Sequence, residues 1–260
     1  MKRIKKSLPP NPLTLFYASN PTANWKQFRS HRFSKTYSKV KRIIFEDQNG
    51  LCAYCEDYVL DLEKDKRRIE HFHDKSDPDV SITNWALDWN NVFGVCNGGT
   101  HEGSTYPTPE NLSCDAHKEH ILKSPKTEGV FLNPLEFPFS PIFVFDKVTG
   151  HLDADINVCR QLDLYVPNNY GSFTEFVKQT IRILNLNCDR LAQKRLKVFQ
   201  EYNRLIAKAR EQRNPDILRK LPEHWLGGEP LAFFTVRRCL LGVAAEEYLI
   251  ANRVYPLINI

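Results

Sequence analysis

RRIEHFHDKS, residues 67–76, sets Glu70 beside His71 and repeats histidine at position 73. A His-rich strand by itself is ordinarily a surface feature. Two neighbouring stretches make it the edge of something else: LCAYC (51–55) just before it and DWNNVFGVCNGG (88–99) just after. Cys52 and Cys55 form a C-x2-C knuckle, the spacing that lets two thiolates grip one tetrahedral zinc ion. Cys96 and Cys114 are the other cysteines of this half, and four thiolates make a closed structural site. The Gly-, Thr- and Pro-rich insert between Cys96 and Cys114 has to loop out and return. Two readings compete. A thioredoxin-type redox pair needs its C-x-x-C in a βαβ setting, which is missing here. Inert buried thiols are the other, and that reading suits Cys159, Cys188 and Cys239, which have apolar neighbours.

The rest of the chain is consistent with a soluble protein that uses cysteine for metal. Of 260 residues, 42% are hydrophobic and 26% charged, which excludes a disordered chain. No apolar run approaches the roughly 18 residues of a membrane span. The start, MKRIKKSLPPNPLTLF, is basic, but prolines occupy the place of a signal peptide's apolar segment. A reducing, cytosolic compartment is therefore expected, and seven cysteines, an odd number, do not read as a disulfide framework. Net charge is +5, unevenly spread: residues 1–45 contain eleven Lys or Arg and no Asp or Glu. Interleaved with Tyr17, Trp25, Phe28, Phe33 and Tyr37, this arm suits phosphate contact and base stacking, or else is a solvated basic arm or one that docks on an acidic partner.

Element by element, the expectation is an α+β chain in three parts. Residues 1–45 are a basic arm, extended through PPNP and NPT, leading into a helix from about Ser34 to Asp47 that QNG stops. Residues 46–125 hold most of the Cys and His with little periodicity, as in a small unit organised by metal. Residues 126–260 read as a β-hairpin turning at Thr149–Gly150 and then a mainly helical region. In it, Ser172 and Glu175 make a capping-box pattern. Leu191, Val198, Tyr202, Leu205 and Ala209 form the stripe of a long helix, and residues 229–253 form a third, more apolar helix.

Within the second part, Glu70-His71, Asn91, Asp115 and His117 are threaded through the four cysteines. An acid-histidine pair, a central asparagine and a late metal ligand in that order resemble the HNH, or ββα-metal, nucleases. The likeness is carried by CAYCE, IEHF, WNNVFGVC and CDAHK. Asn91 to Cys96 has the usual spacing, and Asp115 and Lys118 stand where a ligand and a lysine follow the last cysteine. Phosphodiester hydrolysis needs a water made nucleophilic, a phosphate oxygen neutralised and a leaving alkoxide stabilised. A neutral histidine serves the first, and a hard ion such as Mg²⁺ or Mn²⁺ the other two. His71 is thus the candidate general base, Asn91 the orienting residue, and Glu70 and Asp115 the leading metal ligands. His117 and an H-x-H pair of His71 and His73 stay open as rivals. Adjacent strand residues face opposite sides, so Glu70 and His71 can share a site only at a strand end or irregularity.

The running order also is similar to the HNH subunit of the Septu and retron-associated anti-phage systems, the PtuB family. The blocks are MKRIKKSLPP, LCAYCE, IEHF, DWNNVFGVCNG, FVFDKVTGHL and TIRILNLNCDRLAQKR. That resemblance implies an effector nuclease acting on DNA or RNA beside a PtuA-like ATPase with an ABC/SMC-type head. In retron versions it also implies a reverse transcriptase and its RNA-linked DNA. Asp115, where HNH enzymes more often carry His or Asn, departs from the pattern, as does the long insert between Cys96 and Cys114. The rival class is a zinc-organised nucleic-acid-binding or adaptor protein without hydrolytic activity, which has no use for an acid-histidine-asparagine set. The helical region, lacking a catalytic signature, is the expected partner-docking part.

Overall fold

The computed structural model describes residues 1–60, 67–77, 83–124, 126–228 and 231–252. The N-terminal segment is more helical than its prolines promise. Asn11 accepts from the backbone N–H groups of Leu13 (2.9 Å) and Thr14 (3.2 Å), and Pro12 opens α1 (Pro12–Ser19) at the position where its missing N–H costs nothing. Asn24 and Gln27 cap each other reciprocally at the start of α2 (Trp25–Ser30). The expected extended arm is thus corrected: residues 1–10 form no regular element, and asparagine caps set two short helices, 12–19 and 25–30, into the remainder. Helix α3 (Lys35–Asp47) falls where its periodicity put it, and Asn49 and Gly50 end it in left-handed turns.

Strands β1 (Arg67–His71) and β2 (Val92–Cys96) pair antiparallel, His71 opposite Val92 and Glu70 opposite Phe93. Helix α4 (Cys114–Ile121) packs on β2. A small hairpin follows, β3 (Phe143–Phe145) with β4 (Leu152–Ala154), turning through Asp146, whose carboxylate accepts from Val148 and Thr149. Then come α5 (Ile156–Leu162), α6 (Phe173–Ile183), capped by Ser172, and the long α7 (Asp189–Glu211). The short α8 (Asp216–Arg219) and α9 (Leu221–Leu226) lead to α10 (Phe234–Leu241) and α11 (Val243–Ala251). The single helix expected over 229–253 is therefore two, broken at Gly242, whose φ of +55° no helix tolerates; its ends, Glu229, Pro230 and Arg253, lie outside the described residues.

Two cores hold this together. One gathers Leu13, Phe16, Phe28, Val40 and Ile44 of the first three helices against Leu87, Trp89 and Val92. The larger runs from the four cysteines of the knuckle region through Phe131, Phe143 and Phe176 to Trp225, Val236 and Leu249. The apolar faces of α6, α7 and α10 are consumed in that core, so the helical region is built onto the cysteine unit rather than left open. Among the described residues no helix is long and apolar enough to cross a membrane.

Candidate active site and metal centre

The four cysteines meet. Cys52 and Cys55 sit in a turn closed by the Cys52 N–H donating to the Asp57 carbonyl, Cys96 ends β2 and Cys114 begins α4. Their sulfurs all lie within 4.8 Å of one another, with Cys52–Cys114, Cys55–Cys96 and Cys96–Cys114 at 3.8, 3.8 and 3.7 Å. A tetrahedron with zinc–sulfur bonds of about 2.3 Å has edges of about 3.8 Å, so the cage has the dimensions of a zinc tetrathiolate. The long insert returns because the Ser113 N–H donates to the Gly98 carbonyl at 2.9 Å. Gly98 is required there: a Cβ would lie 2.3 Å from the Ser113 carbonyl oxygen, at a φ of +68°. Burial, then the neighbouring thiols, push the Cys114 thiol well above its ordinary pKa, a proton that a metal would displace.

The apolar stripe of α7 leaves out its arginines, which at helical spacing would ordinarily face water. The structure instead buries Arg190 and Arg195 completely, beneath the cage. Arg190 donates to the Ser113 hydroxyl at 2.6 Å, which in turn contacts the Cys114 sulfur. Burial works against the Arg190 charge, but Cys55, Cys96, Cys188 and Cys114 outweigh it and raise its pKa. A tetrathiolate holding a divalent ion would carry two negative charges, and these arginines would supply counter-charge. The signal in the sequence was slight, since arginine at helical spacing usually faces water.

On the other side of β1, Glu70, His71, Asp115 and Lys118 line one cleft of about 160 Å³. Glu70 and His71 share it because His71 is the last strand residue, where the alternation lapses. The Lys118 ammonium donates to the Glu70 carboxylate and, at 3.2 Å, to the His71 carbonyl, and lies 3.9 Å from Asp115 Oδ1. Asp115 Oδ1 is buried with no hydrogen-bond partner. Two carboxylates thus line the cleft with the Lys118 ammonium between them, and oxygen donors of this kind suit a hard divalent cation.

His71 Nε2 lies 3.2 Å from the Ala86 carbonyl oxygen. A carbonyl only accepts, so Nε2 carries the proton and the lone pair of the neutral ring is on Nδ1. The Trp25 ring meets the imidazole edge-on at 4.5 Å. Burial, and next the charge of Lys75, push the His71 pKa down to about 3, so the ring is neutral at pH 7.

Asn91 does not touch the His71 ring. Its Oδ1 accepts from the His73 N–H at 2.7 Å, and its Nδ2 donates to the carbonyls of His73 (2.9 Å) and Trp85 (2.8 Å). It is a positioning residue that pins the chain just beyond β1. Lys6 secures the 89–92 turn that carries Asn91, donating to the carbonyls of Trp89 and, at 2.6 Å, Val92, with its ammonium 3.8 Å from the Trp89 ring centroid. Nothing in MKRIKK distinguishes that lysine from its neighbours.

The rival ligands are elsewhere. His73 is clamped between Asp77 and Glu128, both at 2.8 Å, and stacks on Trp85, so both its nitrogens are engaged away from the cleft. His117 lies within 2.8 Å of the Ile183 carbonyl and lines a separate cavity of about 900 Å³ with Val144, His151 and Lys178.

No family model matches the chain. An Escherichia coli protein whose provisional name is retron Ec83 HNH endonuclease is 37% identical over 250 residues, which covers 93% of this chain and 94% of that one.

Proposed function

The chain belongs to the family of that retron HNH endonuclease, and from this premise we propose that it is a metal-dependent nuclease hydrolysing phosphodiester bonds of DNA or RNA in the Glu70–His71 cleft. The hairpin β1–β2 with α4 is then a ββα-metal unit, held together by zinc on Cys52, Cys55, Cys96 and Cys114. The observation that carries the reading is one cleft combining a neutral His71 with the Glu70 and Asp115 carboxylates, an oxygen of the latter having no hydrogen-bond partner.

In this reading Glu70 and Asp115 would hold Mg²⁺ or Mn²⁺, which would supply positive charge for a phosphate oxygen and the leaving alkoxide. His71 Nδ1 takes the proton of the attacking water, and its Nε2–H, tied to the Ala86 carbonyl, stabilises the imidazolium formed. Asn91 and Lys6 keep the turn that fixes His71 in place. Lys118 supplies positive charge beside the reacting phosphate.

The resemblance read from the sequence extends the proposal to a PtuB-type effector of anti-phage defence. It would work in the bacterial cytoplasm beside a PtuA-like ATPase and, in a retron version, a reverse transcriptase with its RNA-linked DNA. Support for the retron setting is the name of the Escherichia coli relative. The test is incubation of the full chain, alone and co-expressed with the ATPase, with plasmid DNA and total RNA. Cutting with Mn²⁺ or Mg²⁺ that EDTA stops supports the proposal. Binding without cutting, in complex and with metal, moves the chain to the adaptor class.

A further inference from the structure

Between α2 and α3 the backbone takes a costly path. Arg32, Phe33 and Ser34 follow one another at φ +49°, +54° and +64°, the left-handed region that non-glycine residues avoid, a bulky aromatic most of all. The turn is braced: the His31 ring packs on Phe16 and its Nδ1 lies 2.9 Å from the Thr36 hydroxyl. What the turn achieves is to hold the Phe33 side chain in water, 96% exposed. The other aromatics of this segment are spent internally. Phe28 is wholly buried, Trp25 abuts His71, and Tyr17 and Tyr37 pack on the same core.

The surroundings of Phe33 are cationic. Lys26, Arg29, Arg32, Lys35 and Lys39 are all exposed, and the first acidic residue of the chain is Glu46, which pairs with Arg42. A lone solvent-facing aromatic ringed by cations, with no acid in its segment, fits a polyanion that offers flat faces. In a duplex those faces are stacked away, whereas an unpaired strand presents them. The turn is also placed to act with the cleft. Helix α2, six residues or about 9 Å long, carries Trp25 against His71 at one end and leads into this turn at the other.

We propose that the 31–34 turn grips single-stranded polynucleotide, with Arg29, Arg32 and Lys35 on its phosphates and Phe33 stacked on an unpaired base, feeding the strand toward His71. The assignment rests on reading the Glu70–His71 cleft as a phosphodiesterase, and it names the substrate class of that site: unpaired rather than duplex nucleic acid.

The experiment is fluorescence anisotropy of labelled 20-nucleotide single-stranded DNA, single-stranded RNA and duplex DNA over 50–200 mM salt. The protein is the full chain carrying His71→Ala, so that nothing is cut. Single strands are expected to bind more tightly than duplex. Phe33→Ala should weaken single-strand binding roughly 5- to 100-fold with the salt slope unchanged, and Phe33→Trp should restore it. Arg29→Gln, Arg32→Gln and Lys35→Gln together should flatten the slope by about 2. The DNA and RNA arms tell which sugar the grip accepts. Equal binding by Phe33→Ala, tighter binding of duplex, or no binding at 50 mM salt overturns the proposal without touching the nuclease reading. A Phe33-dependent grip in a chain that never cuts would instead leave the grip standing and overturn the nuclease reading.

Discussion

Asn91 clasps the backbone of His73 from both sides, accepting from its N–H at 2.7 Å and donating to its carbonyl at 2.9 Å. Substituting it therefore acts on His71 through two residues of chain. Asn91→Asp keeps the acceptor but turns both donors into an oxygen facing the carbonyls of His73 and Trp85. It should cost stability of about 2–3 kcal/mol, the scale of buried unsatisfied groups. A misplaced base should lower cleavage about 100-fold with substrate affinity little changed. Thermal melts and single-turnover rates check the two effects separately.

Metal removal should distinguish the two sites. The cage offers a metal four thiolates, whereas the cleft offers it two carboxylates. Dialysis against EDTA should abolish cutting yet leave one zinc per chain by elemental analysis, and added Mn²⁺ should restore activity. Cys114→Ser should lose the zinc and with it the cooperative melt, since structural zinc supplies folding energy outright.

Arg190→Met removes the charge beneath the cage while keeping much of its volume. Loss of one partner from a buried charge pair costs about 3–5 kcal/mol. The variant should melt earlier and release zinc faster to a colorimetric chelator after thiol modification. Arg190→Lys, which keeps the charge but not the planar fork that reaches Ser113, should fall between.

The depressed pKa of His71 gives a sign to the pH dependence. An ordinary histidine titrates near 6.5, but here burial holds the folded value at about 3. Between those values the unfolded chain binds more protons than the folded one. Stability from this group is therefore complete above pH 6.5 and drains away as pH falls toward 3. The imidazole resonances of His71 in the folded protein should show no titration between pH 8 and 5.

How much of this was legible beforehand follows from what kind of signal each part leaves. Thiolate spacing is dictated by metal geometry, so the Cys52–Cys55 knuckle was legible from spacing; Cys96 and Cys114 were joined to it as the other cysteines of that half, and the four do meet. Helix α3 and the stripe of α7 carry strong periodicity and fall where it put them. The small helices α1 and α2 escaped because their signal is a pair of asparagine caps within a Pro-rich stretch. Glu70 and His71 could be paired only once the strand was known to end at position 71. Arg190, Arg195 and Lys6 left almost no trace. Each is a buried or half-buried cation whose role depends on long-range neighbours, and in sequence such a cation looks like a solvated one. Asp115 was separable from His117 only when α4 turned the first toward the cleft and the second toward the other cavity.

The central claim is that His71 Nδ1 is the base of a metal-dependent phosphodiesterase. The most direct measurement is the single-turnover cleavage rate of wild type against His71→Ala with Mn²⁺, both folded and both retaining zinc. The account predicts a loss of about 10²–10⁴-fold in the variant, the usual worth of a general base, with nucleic-acid binding retained. Equal rates in the two proteins would contradict it and return the search for the base to another residue of the cleft.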